Sequence, residues 1–223
     1  MAMPDLSGLA DWVVVFDLDD TLYQEDEYNR SGVIAVATEI RKLYGKNITA
    51  QLLAVRKRKG DIWESACKLL SLPLSVKEAM LWMYRLHNPT IGLNKKVSHL
   101  VRAISASAQE VIILTDGRSI TQRIKLSTLG LLKYPLYISE EHSSSKPEET
   151  RFKHIMEDFV AKYYVYIADN PAKDFIAPNS LGWKTVGVRG SAKNVHEQKI
   201  DGLTDKQMPD FWADHFTEVV EFL

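Results

Sequence analysis

The stretch VVVFDLDDTLY, residues 13 to 23, decides how this chain is read. Trp12 to Phe16 is an unbroken apolar run, mostly β-branched or aromatic, and predicts a short strand buried on both faces. Asp17, Asp19 and Asp20 follow at once, with Thr21 directly behind them. A buried parallel strand ending in acids puts them at the carboxyl edge of a sheet, where α/β proteins bind ligands. Carboxylates this close repel one another unless a cation sits among them or one of them keeps its proton.

Further strand-like runs recur along the chain at Glu110 to Gly117, Tyr134 to Glu140, Tyr163 to Asn170 and Trp183 to Val188. Between them, ITQRIKLSTLGLL (120 to 132) and EETRFKHIMEDFVAKY (148 to 163) carry apolar residues at helical spacing. Strand alternating with helix predicts an α/β fold, a doubly wound, Rossmann-like parallel sheet with helices on both faces. The last segment, PDFWADHFTEVVEFL from Pro209, reads as a closing helix.

Residues 24 to 89 break the alternation. They read as helices at Tyr28 to Tyr44, Thr49 to Lys59, Ile62 to Leu70 and Val76 to Leu86, punctuated by Gly45, Gly60 and Pro73, with Ser75 capping the last. An all-helical block after the first strand predicts an inserted cap, with 1 to 23 and 90 to 223 forming the catalytic core.

The 223 residues suffice for one large core plus a small inserted unit. With 26% charged and 45% hydrophobic residues the composition is that of an ordinary globular protein, and a net charge of -1 gives no reason to expect a nucleic-acid polymer or a membrane as partner. The single cysteine, Cys67, excludes an internal disulfide and reads as a small buried hydrophobe. With neither a cationic, apolar leader nor a membrane-length apolar run, the expected setting is the cytoplasm. None of the six histidines pairs at metal-ligand spacing, which argues against zinc.

The polar residues at the strand ends form an ordered set: DLDDT at 17 to 21, ILTDG at 113 to 117, Lys146-Pro147, and IADNPAKD at 167 to 174. In this order they resemble the four motifs of the haloacid dehalogenase superfamily of phosphoryl-transfer enzymes, across residues 12 to 21 and 95 to 190. The resemblance implies a phosphatase with Asp17 as nucleophile. Asp19 would be the general acid and base, with a pKa nearer neutrality than usual. Thr115 and Lys146 would hold the phosphoryl oxygens, helped by backbone N–H groups of the loop at Leu18 and Asp19 and near Asp116. It further implies Mg²⁺ bound by Asp17, the carbonyl of Asp19 and Asp169, with Asp174 taking a metal water or steadying Lys146. Asp19 also distinguishes phosphate-ester chemistry from halide displacement, because a departing halide needs no proton.

Two small departures from the family pattern are Ala168, where many members carry Gly, and Asp116, where many carry Asn. The block at 24 to 89 is similar to the small helical cap of the family's first subclass. Its residues do not carry over by motif. Tyr23, Arg85, His87 and Arg118 are the candidate contacts to a small phosphorylated metabolite, and Gln24 and Arg30 are read more readily as hinge and solvated helix. The run RKRK (56 to 59) reads as a solvated helix face or as an attractor of an anionic substrate. Trp63, Trp82 and Tyr84 read as cap core. A phosphomutase using the same aspartyl-phosphate is the alternative; a phospho-accepting signalling domain and a catalytically silent binding protein fit less well.

Overall fold

The computed structural model describes residues 6 to 190, 194 to 195 and 198 to 223. Five apolar residues, Trp12–Phe16, form β1 with every side chain buried. The strands β2 (Glu110–Thr115), β3 (Leu136–Ile138), β4 (Tyr163–Ala168), β5 (Lys184–Val188) and β6 (Phe211–Ala213) join it in one sheet, ordered β3-β2-β1-β4-β5-β6. Every pairing is parallel, with Phe16 opposite Ile113 on one side and Ile167 on the other. The order reverses between β1 and β4, so the crevice for ligands opens beyond their carboxyl ends.

Alternation along β1 feeds two cores. Val14 and Phe16 join Leu100, Ile104 and Phe216 on one face, while Val13 and Val15 join Phe152, Ile155 and Trp183 on the other. That two-sided burial explains why the strand is apolar at every position rather than at alternate ones.

Between β1 and residue 90 lie four helices, α1 (Glu25–Tyr44), α2 (Thr49–Lys57), α3 (Ile62–Leu70) and α4 (Lys77–Arg85). They enclose a third apolar cluster that includes Val33, Ile40, Leu52, Trp63 and the fully buried Cys67. After them come α5 (Lys95–Ser107), α6 (Ser119–Leu129), the short α7 (Ser139–His142), α8 (Thr150–Asp158) and α9 (Ile176–Ser180). Among the described residues no helix is long and apolar enough to cross a membrane.

Four local expectations change. Pro209 to Leu223 is not a helix: Phe211–Ala213 is the edge strand β6, and Phe216–Glu221 is a 3₁₀ helix. The reason is tertiary, because β6 gains a backbone ladder against Val186 to Val188 that outweighs local helical spacing. The third strand is only three residues, and its continuation Ser139–His142 turns helical. Ser75 lies inside a 3₁₀ turn, Leu74–Val76, so it does not cap α4. Trp82 is 41% exposed, with the Arg85 guanidinium 5.0 Å from its ring centroid, and is not cap core.

Gly32 sits within α1, where glycine ordinarily costs about 1 kcal/mol relative to alanine. A Cβ there would collide with the Tyr84 ring, which is tethered through its hydroxyl to Asn29. Overpacking costs about 1–3 kcal/mol. Gly32→Ala is therefore expected to lower stability despite the better helix propensity, read as a reduced urea midpoint. A raised midpoint would show that α1 and α4 are not in close contact there.

Candidate active site

Asp17 leaves β1 with its backbone N–H donating to the Ile167 carbonyl at 2.9 Å, so the nucleophile candidate is fixed to the neighbouring strand. Its side chain is buried. The Lys146 Nζ lies 2.6 Å from Asp17 Oδ1 and 2.8 Å from Asp174 Oδ1, and donates to the Tyr166 hydroxyl at 3.1 Å. The Thr21 hydroxyl donates to Asp17 Oδ2 at 3.2 Å. Burial opposes the charge on Lys146, yet Asp17 and Asp174 hold its pKa well above the ordinary value.

The same burial pushes Asp17 up to about 6, with Lys146 opposing and Asp174 adding to the rise. Asp169, at the end of β4, is pushed up to about 9 by burial and by its neighbours Asp17 and Asp174. Oxygens of Asp17, Asp169 and Asp174 all lie within 4.8 Å of one another. Three buried carboxylates with one lysine among them leave negative charge uncompensated. Their hard oxygen donors suit a divalent cation of the magnesium type. Asp174 serves both arrangements, since its Oδ2 also accepts from the Asn170 N–H at 2.9 Å.

Asp19 differs from expectation. Burial would raise its pKa, but Lys125 overrides burial and the carboxyl is held below its ordinary range. The Lys125 Nζ sits 2.8 and 2.9 Å from the two Asp19 oxygens; Gln122 donates to Oδ2 at 3.0 Å, and the Tyr23 hydroxyl donates to Oδ1 at 2.5 Å. Lys125 is buried and also lies 4.5 Å from the centre of the Tyr28 ring on α1. The carboxylate is therefore held by three side-chain donors, from Lys125, Gln122 and Tyr23.

Thr115 ends β2 fully buried, and its carbonyl accepts from Arg151 at 2.9 Å. Arg151 is buried and pairs with Asp116, while Lys173 reaches the other Asp116 oxygen at 3.0 Å. Burial would raise Asp116, but Lys146, Lys173 and Arg151 keep it below its ordinary range. A pocket of about 110 Å³ is lined by Asp17, Asp19, Thr115, Lys146, Asp169 and Asp174, and also by Glu25 and Lys173. Glu25 is raised to about 7 by burial and by Asp19.

Of the remaining candidates, Tyr23 lies on Asp19, as above. His87 is buried at the return from the helical block, with Nδ1 2.6 Å from the Tyr84 carbonyl and Nε2 3.1 Å from the Ser31 hydroxyl. Arg85 covers Trp82, and Arg118 stands exposed 3.9 Å from Glu140. Neither these three nor Tyr23 lines the pocket. Sequence reasoning missed Lys125, Gln122 and Lys173. Gln122 and Lys125, three apart on α6, form a polar pair on a helix that otherwise turns Leu126 and Leu129 inward, which was the available signal.

A curated relative, the glyceraldehyde 3-phosphate phosphatase of Methanocaldococcus jannaschii, is 26% identical over 210 residues, spanning 86% of this chain and 91% of its own. The magnesium-bound HAD-hydrolase YfnB of Bacillus subtilis superposes with a TM-score of 0.65 at 16% identity, over 96% of this chain and 99% of its own. The 2-haloacid dehalogenase of Pseudomonas syringae pv. Tomato gives a TM-score of 0.61 at 14% identity, over 96% and 97%. No protein-family model matches the chain. At such identities the structural likeness speaks for the fold, which is that of haloacid dehalogenase-like hydrolases. The four motifs stand in order at one sheet edge of that fold, and over most of its length the chain is similar in sequence to a curated phosphatase.

Lys125 generates a test. Because its ion pair lowers the Asp19 pKa, it stabilises the fold above the ordinary carboxylate pKa, and that contribution is lost as pH falls through the lower folded value. Lys125→Met leaves a largely buried carboxylate without its counter-charge and is expected to cost about 3 kcal/mol near neutral pH. The ¹³C carboxyl titration of Asp19 should then move upward. A titration that does not move would show that Lys125 does not govern this carboxyl.

Proposed function

We propose that this protein is a Mg²⁺-dependent phosphatase that hydrolyses a small phosphomonoester through an aspartyl-phosphate on Asp17. The observation that carries the reading is Lys146 bridging Asp17 and Asp174 beside Asp169, because it joins an oriented nucleophile, a phosphate-binding cation and a metal-competent acid pair in one pocket. A carboxylate of Asp17 attacks phosphorus, and the ester P–O bond breaks as the departing oxygen takes a proton from Asp19. Water then attacks the aspartyl-phosphate and gives its proton back to Asp19. The P–O bond to Asp17 breaks, and phosphate leaves.

In this reading Lys146 and Thr115 hold phosphoryl oxygens, with the loop N–H groups at Leu18 and Asp19 and that of Asp116. Tyr23, Gln122 and Lys125 keep Asp19 oriented, and its carboxyl must leave Lys125 and gain a proton before it can donate one. Asp17 and Asp169 would hold Mg²⁺, aided by the Asp19 carbonyl and by Asp174. When bound, the cation supplies charge neutralisation and polarisation of the phosphoryl group. The helical block at 24 to 89 acts as the cap that excludes water during transfer to Asp17.

Asp19 supports phosphate esters over carbon–halogen bonds, although the fold is shared with a dehalogenase. The relative named as a glyceraldehyde 3-phosphate phosphatase supports water, rather than a sugar hydroxyl, as the acceptor over the phosphomutase alternative.

Phosphate release should require both Mg²⁺ and Asp17 across a panel of sugar phosphates, nucleotides and other phosphomonoesters. EDTA or Asp17→Asn is expected to abolish it, and release that survives the substitution in clean protein would sink the nucleophile. Metal binding is also expected to depend on pH. Asp169 is raised to about 9, so between neutrality and that value Mg²⁺ must displace its proton. Affinity measured calorimetrically should rise about tenfold from about pH 7 to about pH 8. A flat profile would mean that Asp169 is not a ligand.

A further inference from the structure

A second cavity, of about 890 Å³, adjoins the catalytic pocket and is walled by α1, by the carboxyl end of α2 and by Asn194 and Val195. Four cations line it: Arg30, Arg56, Lys57 and Lys59. The one acid on its wall, Asp26, is already paired with Arg56. Arg30, Lys57 and Lys59 have no ion-pair partner among the described residues. Basic residues after a helix often do no more than complement its dipole. Here, however, Arg30 comes from a different helix, α1, and lines the same space as Lys57 at the end of α2 and Lys59 just beyond it.

Two residues of the cavity wall bond to acids that line the catalytic pocket. Asn194 Nδ2 donates to Asp169 Oδ2 at 3.2 Å, and the Val195 N–H donates to Asp20 Oδ2 at 2.7 Å, so the wall touches Asp169 of the proposed metal site and Asp20 of the first motif. Trp63 and Tyr84 give the wall an apolar surface against which a carbon chain can lie. By contrast, the catalytic pocket is strongly acidic, with seven carboxylates and two lysines on its lining. A long substrate would thus meet Lys146 at one end and a separate cationic field at the other.

We infer that the leaving group of the substrate carries a second anionic group, a carboxylate or another phosphate, which Arg30, Lys57 and Lys59 receive at the far end of a sugar-sized carbon chain. This rests on the phosphatase reading for its catalytic end only. Exposed ion pairs are individually weak and salt-sensitive. Three acting together give a preference of about tenfold or more, which shrinks as ionic strength rises.

The test uses matched pairs of equal carbon number: 6-phosphogluconate against glucose 6-phosphate, and fructose 1,6-bisphosphate against fructose 6-phosphate, all with Mg²⁺. The kcat/KM ratio within at least one pair should favour the second anion by about tenfold or more, and the winning pair identifies carboxylate or phosphate. The ratio should fall toward unity in Arg30→Gln/Lys57→Gln/Lys59→Gln and persist in Lys153→Gln, whose lysine lies on α8 and pairs with Glu149. Equal use of both members of both pairs through Asp17 overturns the inference and leaves the phosphatase reading standing. Should no ester turn over, calorimetric binding to Asp17→Asn with Mg²⁺ decides. Equal affinities within each pair overturn the inference, whereas a preference abolished by the triple substitution upholds it and sinks the phosphatase reading alone.

Discussion

Everything at the site follows from one electrostatic constraint: carboxylates from β1 and β4 meet at the carboxyl edge of the sheet, and one buried ammonium stands between them. Lys146 at 2.6 Å from Asp17 and 2.8 Å from Asp174 compensates part of that charge. Its pull on Asp169 is outweighed by burial and by the neighbouring Asp17 and Asp174, so that carboxyl rises to about 9. Attraction at these separations is strong only because the groups are buried, and the same burial makes each unpaired charge expensive. Under the proposed reading, a cation bound at Asp169 displaces a proton, and this exchange couples metal binding to pH.

A second layer of cations fixes the acids that do not belong to that cluster. Lys125 with Gln122 immobilises Asp19, and Arg151 with Lys173 immobilises Asp116. Arg151 also donates to the carbonyls of Thr115 and Tyr137 at 2.9 and 3.1 Å, tying the ends of β2 and β3 together. Each acid thus has its own partner from a different helix or loop. The result is a rigid edge in which neighbouring carboxyls, two residues apart in the chain, titrate in opposite directions: Asp17 upward and Asp19 downward. Sequence proximity alone would have predicted a shared shift.

The sheet and its acidic edge were legible because they obey local rules. β1 is apolar at every position, the later strands alternate with amphipathic helices, and the chemistry-bearing residues fall at strand ends. What escaped notice depends on contacts distant in sequence. Lys125 lies 106 residues from Asp19, within an amphipathic pattern that fits a solvated lysine equally well. The strand Phe211–Ala213 is short, and its pairing with Val186 to Val188, rather than its composition, makes it a strand. His87 reads as a candidate substrate contact in sequence; in the structure one ring nitrogen meets the Tyr84 carbonyl and the other Ser31. Charge runs share this ambiguity: nothing within RKRK says that Arg56 turns to Asp26 while Lys57 and Lys59 face the cavity.

The distribution of charge gives the two ends of the site different tasks. Near the sheet edge acids outnumber cations, so the anionic substrate proposed here would be repelled there until the deficit of positive charge is filled. Across Asn194 the balance reverses, with three cations that no acid among the described residues neutralises. If, as proposed, the acidic centre binds a cation and the cationic flank receives an anion, attraction to the flank is independent of the metal. Capture of the substrate and assembly of the reacting groups then become separable steps, and a neutral leaving group would use only the second.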